Sequence, residues 1–177
     1  MVNRFIVVIL LFFTSVSFAK EVSDEYLSQL VDGWNLLAPP ELYDFIPENL
    51  DYKTMNSPEF QKKIDNAGNQ INSLMDGKVI EIAGFMVPLK TKGSSVTQFL
   101  LVPEAGQCIH VPPPPLNQTL LVEMPENPTN IRDIYIPIIV TGKVSVGSQS
   151  FDIADSGYSL TDVTVENLTF KYEDDFQ

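Results

Sequence analysis

The chain has 177 residues and carries 11 basic against 23 acidic side chains, a formal net charge of −12, with a single cysteine and a single histidine. That balance argues against binding nucleic acid or anionic lipid, which relies on Lys and Arg displacing counterions, and one cysteine excludes an internal disulfide. With 44% of its residues hydrophobic the chain can bury a core, and its length suits one domain better than two.

Residues 1–19 read as a cleavable export signal. Arg4 supplies the basic start, Phe5 to Phe13 an apolar run, and Thr14 to Ala19 a polar exit in which Ser17 and Ala19 fit a signal-peptidase cut after Ala19. The run is far shorter than the roughly 20 residues needed to cross a bilayer, and every later hydrophobic stretch is interrupted by Gly, Pro or charge within about a dozen residues. The expectation is a mature protein released into the periplasm and not embedded in a membrane.

Residues 20–77 read as a helical segment packing on the domain that follows. Ser23 can cap a helix with Asp24 and Glu25 in its first turn, and Tyr26, Leu27, Leu30, Val31 and Trp34 recur at helical spacing until Pro39-Pro40 stops it. The stretch through Pro47 and Asn49 is expected to run extended. A second helix has Ser57 as cap, Pro58 at its first position, an apolar stripe of Phe60, Ile64, Ala67, Ile71 and Leu74, and Gly77 at its end.

Residues 78–177 change to short β-rich segments separated by Gly, Pro and Asn. Five strands are predicted, at Val79–Leu89, Val96–Val102, Thr119–Met124, Ile134–Val146 and Val163–Tyr172. Gly84 in the first, and Pro137 and Gly142 in the fourth, are features of strands that bend or bulge so that a small sheet curls. The leading architecture is a mainly β fold with N-terminal helices, a small OB-like curled β-barrel; a two-sheet β-sandwich is the alternative. Asp155-Ser156-Gly157-Tyr158 reads as a turn at the end of the barrel.

Cys108 and His110, the only residues of their kinds, lie two positions apart in Gly106-Gln107-Cys108-Ile109-His110-Val111-Pro112-Pro113-Pro114-Pro115. In an extended segment, favoured by the prolines, both side chains point to the same side. Three readings stand open. Sulfur and nitrogen can bind a soft or borderline ion, zinc or copper, with further donors from a carboxylate such as Asp152 or Asp155, water, a substrate or a second subunit. His110 can activate Cys108 as the nucleophile of a thiol enzyme. Alternatively Cys108 is a small buried residue in a loop stiffened by proline. The four prolines either stiffen the loop, with Asn117-Gln118 fastening it, or offer a polyproline segment to a partner.

These residues carry a resemblance. Leu100-Leu101-Val102-Pro103, then Gly106-x-Cys108-Ile109-His110-Val111-Pro112-Pro113-Pro114-Pro115-x-Asn117-Gln118, resembles the central motif of a family of exported bacterial proteins known as a domain of unknown function, number 3299. Trp34-x-x-Leu37, Gly77-Lys78-Val79, Ala83 to Leu89 and Gly157-Tyr158-x-Leu160 extend the similarity over most of the mature chain. Leu116, Glu104-Ala105 and Ala83 depart from the pattern, which has a fifth proline, aromatic residues and proline there. The resemblance implies no established activity. It implies export, and relatives that accompany a lipoprotein-exporter-like ABC transporter and a zinc-responsive periplasmic protein. The expected function is a periplasmic transition-metal-binding or transport-accessory protein using Cys108 and His110, with an inner-membrane ABC transporter and a periplasmic metal-binding protein as partners. The alternatives are a module docking on the transporter through its barrel face and proline loop, and a thiol-based enzyme.

Overall fold

The computed structural model describes residues 24–108 and 113–168; the export signal expected at 1–19 lies outside them. Helix α1 spans Asp24–Asp32 and tightens into a 3-10 turn at Gly33–Leu37. Gly33 permits that turn to lie against the sheet, since a Cβ there would sit 3.2 Å from Ile82 Cγ1. Trp34 is thereby buried and its Nε1 donates to the Ala83 carbonyl at 2.7 Å, while the Tyr26 hydroxyl donates to Glu81. Val31, expected on the buried stripe, is exposed because the face of the helix packed on the domain is centred on Leu30 and Trp34 and leaves Val31 at its margin.

The segment after Pro39-Pro40 folds into successive turns rather than running extended, with Leu42 N–H bonded to the Pro39 carbonyl and Ile46 N–H to that of Tyr43. A left-handed Glu41, φ 63°, allows the reversal, and Phe45 packs edge-on to Phe60 at 6.0 Å. After the short helix α2, Tyr52–Met55, comes α3, Pro58–Gly68, where Ser57 Oγ accepts the Phe60 N–H at 3.2 Å and Pro58 opens the helix. This helix ends nine residues before Gly77, the stop expected from the sequence. Gly68 abuts Pro115 so closely that a Cβ would lie 2.6 Å from the proline ring. Beyond it Asn72 turns to bond the Leu36 carbonyl through Nδ2, leaving Leu74 exposed.

Among the described residues six strands follow: β1 Val79–Lys92, β2 Ser95–Val102, β3 Leu120–Glu123, β4 Thr129–Asn130, β5 Ile138–Ser150 and β6 Asp155–Asn167. The first three form an antiparallel meander, and β5 and β6 a long antiparallel hairpin. β1 also pairs β5, while Leu120–Val122 of β3 runs parallel to Tyr158–Leu160 of β6, so the sheet partly closes into a ring with β4 on the edge of β2. This is the OB-like curled arrangement expected from the sequence. β1 changes partner at Gly84, pairing β5 before it and β2 after it. A Cβ at Gly84 would meet the Val102 carbonyl at 2.7 Å, so only glycine allows the bend. Gly142 marks the register shift between β5 and β6.

The interior is filled by Ile82, Met86, Phe99, Leu101, Leu120, Val140 and Tyr158, with Trp34, Leu37 and Met75 closing it from the N-terminal segment. Each such side chain contributes about 1.5–3 kcal/mol by leaving water. The strands differ from the sequence expectation at several points: β1 runs past Leu89 to Lys92, β5 past Val146 to Ser150, and β4 is additional to the five expected. β5 starts at Ile138, because Pro137 has no N–H to offer a neighbouring strand. β6 starts at Asp155, so Asp155-Ser156-Gly157-Tyr158 is strand and not turn; the reversal lies just upstream, where Phe151 N–H bonds the Ala154 carbonyl. Ser156 Oγ stitches the start of β6 to β3, accepting from Leu121 N–H and donating to the Thr119 carbonyl, each at 3.0 Å. The end expected at Tyr172 lies outside the described residues. No helix among the described residues is long and apolar enough to cross a membrane.

Candidate functional site

Cys108 lies on the connection from β2 to β3. The chain leaves the barrel at Pro103 and turns through Gly106, φ 79°, while Gln107 is buried with its Oε1 accepting the Glu104 N–H at 3.1 Å. Cys108 is itself left-handed, φ 65°, a conformation that costs an L-residue roughly 1–2 kcal/mol and persists only where neighbours hold it. Those neighbours form a second apolar layer on the outer face of the meander: Val87 of β1, Leu100 and Val102 of β2, Leu121 of β3, and Ala154 from the β5–β6 turn. Cys108 packs half-buried against them. Loss of hydration pushes the thiol pKa up, so at neutral pH it carries its proton.

The downstream end of the loop is fastened to the N-terminal segment. Pro114 is buried and Pro115 rests on Gly68, so this part of the proline run serves the chain's own packing. Asn117, fully buried, donates through Nδ2 to the carbonyls of Ala67 at 3.1 Å and Gln70 at 3.0 Å. Gln118 Nε2 donates to the Trp34 carbonyl at 3.2 Å, and Thr119 Oγ1 to that of Pro115 at 3.1 Å. These bonds bear out the fastening role expected of Asn117-Gln118.

His110 lies outside the described residues, as do Ile109, Val111 and Pro112. Of the two carboxylates suggested as further ligands, Asp152 is exposed in the turn whose flanking Phe151 and Ala154 join the apolar layer under Cys108. Asp155 is exposed at the start of β6, paired with Ser150. Among the described residues no three His, Cys, Asp or Glu side chains gather as a ligand set. The apolar layer was not anticipated. Its signal is Phe99-Leu100-Leu101-Val102, a strand without alternation, which is how a strand buried on both faces reads.

The model of a protein family of unknown function, DUF3299, matches residues 34–167, from the tryptophan bonded to β1 to the end of β6. The chain belongs to the DUF3299 family. A crystal structure of a DUF3299 family protein from Pseudomonas aeruginosa PAO1 is similar, with 27% sequence identity and a TM-score of 0.58 over 78% of this chain and 95% of that one. No curated protein matches the chain. The DUF3299 match contains the barrel, the Cys108 loop and the helices that fasten it, and omits α1.

Proposed function

We propose that this DUF3299 domain is an exported, periplasmic accessory protein that takes up a thiophilic transition-metal ion, zinc or copper, at Cys108 and passes it on, with His110 as the second donor. The observation that carries the reading is the setting of the thiol. The chain's only cysteine sits in a left-handed turn, partly exposed at the edge of an apolar layer, on a loop tied down on either side. Desolvation keeps the thiol protonated, which makes it a poor nucleophile, yet a soft cation replaces the proton by bonding to sulfur directly. One thiolate and one imidazole leave coordination positions open, which suits transfer, because donor and acceptor proteins each complete the shell in turn. The net charge of −12 favours the approach of cations. On this reading the ABC transporter and the zinc-responsive protein expected from the sequence resemblance are the partners in the transfer.

Protein isolated from the periplasm without chelator is expected to hold close to one equivalent of zinc or copper by mass spectrometry, and Cys108→Ser and His110→Ala are expected to lose it. Reduced wild-type protein that arrives empty and retains neither ion on titration sinks the reading.

A further inference from the structure

A groove of about 360 Å³ opens between α1 and β1, apart from Cys108. Leu27, Val31 and Trp34 form one wall, at the spacing of a single helix face, and Phe85, Pro103 and Leu168 contribute the rest. Its lip is open to water at Val31, which is 62% exposed. The surroundings are acidic. Every charged side chain from Asp24 to Asp51 is a carboxylate; Asp32 follows Val31, and Glu104 follows Pro103, both exposed. On the Leu168 side stands one cation, Arg132, held to the chain by Nε on Asn167 Oδ1 at 2.8 Å and by Nη1 on the Asn130 carbonyl at 2.9 Å.

We propose that this groove is a docking site for a cationic segment of a partner protein, which seats one large apolar side chain against Val31 and Trp34 while flanking Lys or Arg meet Asp32 and Glu104. The volume suits a single aromatic or aliphatic anchor of the kind that dominates interface energetics. The carboxylates supply steering and select the partner's charge. They also oppose the other occupants, because a second copy would bring the same acidic surface against itself and an anionic lipid surface would be repelled.

The test is selection of a random twelve-residue peptide library on the folded, full protein, followed by titration of enriched peptides with Trp34, the only tryptophan, as fluorescent reporter. Enriched sequences are expected to carry Lys or Arg around one large apolar residue, to shift Trp34 emission, and to bind more weakly as salt rises. Val31→Lys, at a position already exposed and therefore expected to leave the fold intact, should weaken them by about tenfold or more. Asp32→Lys should weaken them several-fold, and Cys108→Ser not at all, which separates this site from the metal reading. No enrichment, enrichment without cationic bias, or equal binding by Val31→Lys overturns the proposal. A concentration-dependent dimer that Val31→Lys dissociates also overturns it, and assigns the groove to a second copy.

Discussion

Replacing Asn117 with alanine tests how the Cys108 loop is held. The side chain is fully buried and gives hydrogen bonds to the Ala67 and Gln70 carbonyls, with the Tyr43 hydroxyl donating to its Oδ1 at 3.4 Å. Ala67 keeps a bond from Gln70 N–H, so the burden falls on the Gln70 carbonyl, the Tyr43 hydroxyl and the small void left behind. A buried polar group stripped of its partner costs about 1–3 kcal/mol, which puts Asn117→Ala near 3 kcal/mol in all. For a domain of this size each kcal/mol lowers Tm by about 2–4 °C, so a fall of about 6–12 °C is expected in thermal unfolding followed by circular dichroism. Asn117→Asp preserves volume but turns an acceptor toward the two carbonyls, and should be at least as damaging at neutral pH. Because Asn117 fastens the loop, Cys108 should also alkylate faster in the alanine variant. Stability within about 0.5 kcal/mol of wild type would refute this account of the loop.

Burial raises the Cys108 pKa above its ordinary value of 9.0, so the folded protein should react with iodoacetamide at pH 8 more slowly than the urea-unfolded chain. Since the folded pKa is the higher, the stabilisation tied to this group is complete below the unfolded pKa and is lost as pH rises through the folded one. The urea midpoint should therefore fall above about pH 9, and less steeply in Cys108→Ser; parallel curves would contradict the burial. Gly157→Ala would place a Cβ 2.6 Å from Ile71 Cγ2 and 2.8 Å from the Leu116 carbonyl. The latter is main chain and yields poorly, so a loss of about 1–3 kcal/mol is expected in urea unfolding, and an unchanged midpoint would count against that close approach.

The sequence by itself determined the features that depend on a few adjacent residues. Ser57 and Pro58 start α3 because a hydroxyl acceptor and a missing N–H suit the first turn of any helix. Gly84 and Gly142 announced the bends of a curled sheet, and the lone Cys108 marked the loop of interest. Only the tertiary structure decided where elements end and what their faces meet. α3 ends at Gly68, where Pro115 lies against it and Asn117, far along the chain, takes the Gln70 carbonyl; Asp155–Tyr158 is strand because it pairs with Val146–Ser150 of β5 and joins β3 through Ser156 and Tyr158. None of these neighbours is visible to local periodicity. The protonated state of Cys108 likewise follows from Val87, Leu100, Val102 and Leu121, three strands that converge beneath it only once the meander has formed. Backbone propensity acts over one or two turns of chain, whereas desolvation and close packing are set by whatever distant segment the closed sheet brings into contact.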